Sequence, residues 1–146
     1  MLQTLPKLEA GEYPGGIWFY EPHVYQPYRY VLGRPGKRPL VCICINPSTA
    51  QPGALDPTLK SVERLAGANG FDSWIMFNVY PQRATDPNDM DKTPDAALCA
   101  ENLRWLAAVL AETEPTMWAA WGTLIEKRPY LPGLMREMVA LTREKN

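Results

Sequence analysis

The chain has 146 residues, 46% of them hydrophobic, and its charges of both signs are interspersed, so it can form one globular domain with a sizeable core. Fifteen Lys and Arg residues stand against sixteen Asp and Glu residues. This balance argues against avid, sequence-independent binding of duplex nucleic acid, which usually needs excess cations, and leaves only local contacts. Without a membrane-length apolar run or a secretory signal pattern, we expect a cytoplasmic protein that has no membrane partner.

The first 39 residues are rich in proline, glycine and aromatic side chains. We interpret them as an arm that wraps a core at 40–146 within a single α/β domain, with a short first strand at 28–32. A turn at 33–39 gathers three cations, which form either a solvated turn or a phosphate contact. These cations are Arg34, Lys37 and Arg38.

The core shows continuous apolar runs that predict buried strands, and segments with helical spacing that follow an Asp-Pro or Thr-Pro start. Prolines and glycines separate these segments. The predicted elements are a strand at 40–45, a helix from Asp56 to Gly67 or Gly70, a strand at 74–77, a helix from Thr93 to about Glu112, a strand at 116–121, and helical pieces at about 124–127 and 133–144.

Strands that alternate with helices predict a three-layer α/β sandwich with a mainly parallel sheet and helices on both faces. Ligands of such sheets bind beyond the carboxyl ends of the strands, at a switch point. Three predicted strands end on polar residues or glycine, and a long polar loop at 79–92 follows one of them. We therefore expect one crevice whose side chains come from Asn46, Ser48, Thr49, Asn78, Arg83, Thr85 and Asp86, with Asp56 at the next helix start.

The expected crevice contains amides and hydroxyls but neither histidine nor paired carboxylates, so it favours recognition by hydrogen bonds over strong acid/base catalysis. Ser48 lacks the glycine setting of an esterase nucleophile. The cysteines Cys42, Cys44 and Cys99 match no zinc spacing with the single His23, and we interpret them as reduced core thiols. No metal and no cofactor are expected.

Each candidate has a structural alternative. Asn46 and Asn78 could serve only as turn and strand-ending residues. Asp56 could be no more than a helix cap. Arg83 suits bidentate binding of phosphate but could form an exposed ion pair instead. For Trp121, both a core position and a ligand contact stay open.

Four sequence blocks together resemble an uncharacterised bacterial and phage domain-of-unknown-function family. They are INPSTA at 45–50, DPT at 56–58, NVYPQRATDP at 78–87 and AWG at 120–122. The resemblance extends over about residues 28–131 and implies no particular activity.

The same blocks are more distantly similar to the uracil-DNA glycosylase superfamily. INP at 45–47 is similar to the first motif of the mismatch-specific uracil/thymine-DNA glycosylases, whose asparagine orients the attacking water. The segment 78–85 is similar to their next block, and across the superfamily an asparagine placed like Asn78 hydrogen-bonds the base. The Trp-Gly pair at 121–122 resembles the strand end that follows.

This second resemblance implies a uracil-DNA-glycosylase-like fold and a domain that recognises a nucleobase, a nucleotide or nucleic acid. Its stronger version is a hydrolase of N-glycosidic bonds in DNA or free nucleotides. The implied catalytic residue is Asn46, and the implied base and nucleotide contacts are Asn78, Ser48, Thr49, Arg83, Thr85, Trp121 and Gly122.

One superfamily feature is missing from the sequence. Those glycosylases end with a fourth strand and a His-Pro loop, and neither is found before Asn146. We therefore expect the last strand to be absent, or the sheet to be completed by a further segment, a partner or an oligomer. The alternative function is a non-catalytic binding or assembly module on the same fold.

Overall fold

The computed structural model describes residues 4–145, which form one mixed sheet and three α-helices. None of the helices in this range is both long and apolar enough to cross a membrane. The elements are β1 (Ala10–Tyr13), β2 (Gly16–Glu21), β3 (Val31–Gly33), β4 (Pro39–Cys44), α1 (Pro57–Ala68), β5 (Ser73–Asn78), α2 (Ala96–Glu112), β6 (Thr116–Ala119) and α3 (Leu131–Lys145), with short 3-10 helices at Pro87–Asp89 and Gly122–Glu126.

The strand order is β1-β2-β3-β5-β4-β6. The pairs β1–β2, β2–β3 and β3–β5 are antiparallel, whereas β4 pairs in parallel with β5 and with β6. The prediction of a mainly parallel sheet is therefore wrong, although the α/β class is correct. The alternating strands and helices after residue 39 build only the parallel part, and the antiparallel strands come from the segment before it.

The N-terminal segment is not an arm with a single strand, as the sequence suggested. It forms the hairpin β1–β2 around a two-residue turn at Pro14 and Gly15, where Gly15 has a positive φ of 90° that suits glycine. Arg34 holds the turn, donating to the carbonyls of Ile17 and Gly15 at 3.0 and 3.1 Å. Its guanidinium also stacks on Trp18.

Two helix starts show how well capping signals locate elements. Asp56 caps α1 as predicted, because its Oδ1 accepts from the backbone N–H of Leu59 at 2.9 Å. The cap of α2 is Asp95 rather than Thr93, since the Asp95 carboxylate accepts from both Ala97 and Leu98. Asp is the stronger N-cap residue of the two, so the helix begins two residues later than predicted.

The last strand is also shorter than predicted. Strand β6 ends at Ala119, and a 3-10 helix begins at Gly122, which has a positive φ of 57°. Helix α3 begins at Leu131, ahead of the predicted Gly133. The positions 120–122 therefore belong to a connection beyond the sheet, not to the strand itself.

Hydrophobic side chains cover both faces of the sheet. Because successive strand residues point to opposite faces, Val41 and Ile43 of β4 join a cluster with residues of α2 and α3. Leu40 and Cys42 of the same strand join a second cluster with residues of α1. The sheet is thus packed against α1 on one side and against α2 and α3 on the other.

The order of connections creates a switch point at β4. From β4 the chain passes through α1 to β5 on one side, and from β5 it passes through α2 to β6 on the other side. Strands β4 and β6 stay paired to their carboxyl ends, but the loop after β4 leads to α1 on one face and the connection after β6 leads to α3 on the other, so the two loops diverge. Any side chains that follow these strands therefore surround a gap at this edge of the sheet.

Candidate functional site

A cavity of about 270 Å³ lies at this switch point. Its floor comes from the ends of β4 and β5, one wall from the loops after those strands, and the opposite wall from the connection after β6. The start of α1 completes its rim. Predicted site residues that line it are Asn46, Ser48, Asn78, Thr85 and Trp121, with Asp56 at the helix start.

Asn78 is the polar group of the cavity floor. It is the last residue of β5, only 1% of it is exposed, and its backbone carbonyl accepts from Asn102 Nδ2 at 2.8 Å. Its own Nδ2 has no hydrogen-bond partner among the described residues. A buried donor without a partner costs roughly 1–3 kcal/mol, so this amide is a strong candidate to bind a ligand acceptor.

Asn46 ties two loops together at the cavity wall. Its Nδ2 donates to the carbonyl of Ala84 at 2.8 Å and to that of Pro47 at 3.1 Å. Since both partners can only accept, the amide orientation is fixed, and Oδ1 is the atom with which this side chain can accept a hydrogen bond. The structural role weighed for Asn46 is therefore present, and a ligand role is left to its oxygen.

The hydroxyls of the same wall form a bridge. Ser48 Oγ and Thr85 Oγ1 lie 3.0 Å apart, and both residues line the cavity. Thr49, which directly follows Ser48, is exposed and does not line the cavity. Gly122, on the opposite side, does not line it either. Asp86 caps the 3-10 helix at Pro87–Asp89 by accepting from Asn88 N–H at 2.9 Å.

Arg83, the predicted phosphate contact, also lies outside the cavity lining. Each nitrogen of its guanidinium already donates to the protein, and the group stacks over the ring of Tyr25. Its acceptors are the carbonyls of Gln26, Ser48 and Ala50 and the hydroxyl of Tyr20, at 2.7–3.1 Å. Arg83 thus joins the N-terminal segment to the loop after β4, a structural role that sequence reasoning did not weigh.

Arg29 is the cavity residue that sequence reasoning missed. It is 1% exposed, its Nη1 donates to the Ala50 carbonyl at 3.2 Å, and its Nε has no hydrogen-bond partner within residues 4–145. Burial, reinforced by the nearby Arg83, lowers its pKa to about 10, while Asp56 acts in the opposite direction. The sequence feature that could have identified Arg29 is its position between Tyr28 and Tyr30, just before the buried strand β3.

Cys44 adds a thiol to the cavity floor. Its Sγ lies 3.9 Å from that of Cys42 on the same face of β4. The hydrogen bond from Cys42 lowers the pKa of Cys44, and the charge of Arg29 acts in the same direction. Together with Cys99 these thiols are free, and within residues 4–145 no three metal-ligating side chains come together.

The opposite wall is apolar. Trp121 is half-buried, packs against the α2–α3 side of the core, and lines the cavity beside Leu124. The cavity thus combines one aromatic wall, one hydrogen-bonding wall and a polar floor. Such a mixture suits a small planar molecule that has hydrogen-bonding edges.

A protein-family model described as "Protein of unknown function (DUF1643)" matches residues 29–146. No curated protein and no solved structure matches the chain. The similarity to uracil-DNA glycosylases therefore rests on the sequence motifs alone. The matched range begins at Arg29 and contains the whole cavity lining, whereas the hairpin β1–β2 precedes it.

Proposed function

Because the chain belongs to the DUF1643 family, described only as of unknown function, we propose a function from its cavity: recognition of a nucleobase or nucleotide at the carboxyl ends of β4 and β5. The observation that carries this proposal is the buried Nδ2 of Asn78, which lacks a partner at the cavity floor. A base carbonyl or ring nitrogen would supply the missing acceptor.

The other walls support the same ligand class. Oδ1 of Asn46 can accept from an exocyclic amine or a ring N–H, and Trp121 offers a face on which a base can stack. The volume of about 270 Å³ lies near the lower limit of small-molecule pockets. It therefore suits a single base or nucleoside, either free or turned out of a strand.

Hydrolysis of an N-glycosidic bond is the stronger version of this proposal. The supporting observation is that the carboxylate of Asp56 lines the same cavity as Asn46. Cleavage develops positive charge on the sugar, which a carboxylate stabilises, and it requires a placed water. Asn46 would position that water through Oδ1, and Asn78 would hydrogen-bond the departing base.

Thermal unfolding with a panel of bases and nucleosides tests recognition. A ligand at a hundred times its Kd stabilises the folded state by about 2.7 kcal/mol, which raises Tm by about 5–10 °C at this chain length. We expect Asn78→Ala to weaken binding at least tenfold, and Thr49→Ala, outside the lining, to leave it unchanged. If no nucleoside shifts Tm while light scattering shows a stable dimer, an assembly module is the better description.

Abasic-site formation tests the hydrolase version. Oligonucleotides that contain uracil, a thymine mismatch or a modified base are incubated with the wild type, Asn46→Ala and Asp56→Asn. We expect abasic sites only with the wild type, or a strongly reduced rate in both variants. Equal background cleavage by all three proteins would eliminate hydrolysis and leave recognition standing.

A further inference from the structure

We infer that Arg29 forms an anion-binding subsite in this cavity and that the natural ligand carries a phosphate, as a free nucleotide does. This inference rests on the proposed function for the identity of the base, and it adds the charged part of the ligand. It assigns the phosphate contact to a residue other than Arg83.

The first support is the lack of an ionic partner for the buried Arg29 guanidinium within residues 4–145. The side chain is 1% exposed and lines the cavity, and no carboxylate lies within ion-pair distance of it in the described part of the chain. Its Nε is buried, and no described residue supplies an acceptor for it. Proteins rarely bury a cation without a partner, because desolvation is costly, and an anionic ligand would supply both the acceptor and the opposite charge.

The second support is the contrast with Arg83. Both guanidinium groups donate to the carbonyl of Ala50, Arg83 at 3.0 Å and Arg29 at 3.2 Å. Arg83 alone therefore satisfies that carbonyl, and its remaining donors join two segments of the chain. Arg29 adds no comparable connection, so its burial at the cavity is better explained by a ligand than by the fold.

The third support is the electrostatic environment. Arg83 is close enough to lower the pKa of Arg29, so the part of the cavity that Arg29 lines lies near two cations, whereas the lining contains one carboxylate, Asp56. The first turn of α1, a helix of twelve residues, reaches the rim through Thr58 and Leu59. The positive end of a helix dipole adds to the attraction of an anion.

Calorimetric titration of the full chain tests the subsite. The probes are the five common nucleosides, their 5′-monophosphates, inorganic phosphate and a short single-stranded oligonucleotide. The proteins are the wild type, Arg29→Gln, Asp56→Asn and the control Arg64→Gln, which removes an exposed arginine of α1. Asn is also a good N-cap residue, so Asp56→Asn removes the cavity carboxylate while retaining a cap.

We expect the wild type to bind one monophosphate about tenfold to a hundredfold more tightly than its nucleoside, as charge-assisted hydrogen bonds allow. Arg29→Gln should abolish this preference while nucleoside affinity stays within about threefold of the wild type. Asp56→Asn should increase the preference, and Arg64→Gln should leave it unchanged. If Arg29→Gln does not fold, the wild type and Asp56→Asn still decide whether this cavity binds a phosphate, and the absence of any preference for monophosphate in both overturns the subsite.

Other outcomes separate this inference from the proposed function. Equal binding of nucleoside and monophosphate by the wild type overturns the subsite but leaves base recognition intact. Binding of inorganic phosphate that depends on Arg29, without any nucleoside binding, supports the subsite and overturns base recognition. Tighter binding of the oligonucleotide than of any monophosphate overturns the assignment to a free nucleotide, and no binding of any probe overturns both proposals.

Discussion

Replacement of Arg29 by Met is expected to stabilise the ligand-free protein. Burial, together with the nearby Arg83, lowers the pKa of Arg29 from 12.5 to about 10, and at about 1.4 kcal/mol per pH unit this corresponds to about 3–4 kcal/mol against the folded state. Since the group is a base whose pKa is lowered, the cost is fully present at every pH well below 10. It fades only as the guanidinium of the folded protein loses its proton.

The substitution also removes one hydrogen bond, which is worth about 1 kcal/mol. The Ala50 carbonyl keeps its bond from Arg83 at 3.0 Å, so no buried acceptor is left without a partner. The net gain is therefore about 2–3 kcal/mol in the free energy of unfolding, within the range measured when buried charges are replaced by apolar side chains. At this chain length it raises Tm by about 4–12 °C.

Equilibrium unfolding in urea, followed by tryptophan fluorescence, measures the change, with an unchanged m-value as the sign of an intact two-state transition. The matched control is Arg83→Met, which loses bonds to several acceptors and should destabilise the protein by about 3 kcal/mol or more. If Arg29→Met instead lowers stability by about 1 kcal/mol or more with an unchanged m-value, the guanidinium is satisfied within the protein and does not need an anion.

Three further predictions concern single contacts. Asp56→Ala should cost about 1 kcal/mol through the lost cap of α1, and Asp56→Asn markedly less, measured by urea unfolding. Cys44 should be alkylated by iodoacetamide at lower pH than Cys99, because the hydrogen bond from Cys42 lowers the pKa of Cys44 whereas burial raises the pKa of Cys99. Equal alkylation rates of the two thiols at all pH values, measured by peptide mass spectrometry, would contradict this. Tyr80→Phe removes a hydroxyl that accepts from the backbone N–H of Asp95 at 2.8 Å and should lower stability by about 1–2 kcal/mol, whereas an unchanged unfolding midpoint would show that water replaces it.

The location of the cavity was predictable from local signals. Buried parallel strands are recognisable as short apolar runs between turn residues, and the polar side chains after them must meet where those strands end. For that reason Asn46, Ser48, Asn78 and Thr85 were placed at one crevice by position and do line the cavity, as does Trp121, which only the family resemblance had suggested. The same argument also gave Thr49, Arg83 and Asp86, which do not line it. Their detailed roles were not, because the direction of an amide depends on acceptors such as the Ala84 carbonyl, 38 residues away in sequence.

The incorrect predictions concern features that depend on packing between residues far apart in the sequence. The hairpin β1–β2 lies in a segment rich in proline and glycine, whose composition resembles a loop, and its pairing with β3 depends on the rest of the sheet. For the same reason Arg83 was expected in the crevice, and Arg29 was not considered for it. An arginine near a predicted crevice suggests a ligand contact, yet Arg83 meets backbone carbonyls and Arg29 occupies the cavity.

The two walls of the cavity differ in how they are held. The wall after β4 is cross-linked by side chains, through Asn46 to Ala84, Ser48 to Thr85, and Arg83 to the Ser48 carbonyl. The facing wall at 120–124 is anchored by a backbone bond from Ala120 to Ile43 and by apolar packing. Apolar side chains can slide past one another, whereas hydrogen bonds resist such movement. We therefore expect backbone amide hydrogen exchange to be slow in the wall after β4 and faster in the wall at 120–124. A ligand would then enter through movement of the wall that contains Trp121. Ligand binding should therefore change the tryptophan fluorescence of this protein.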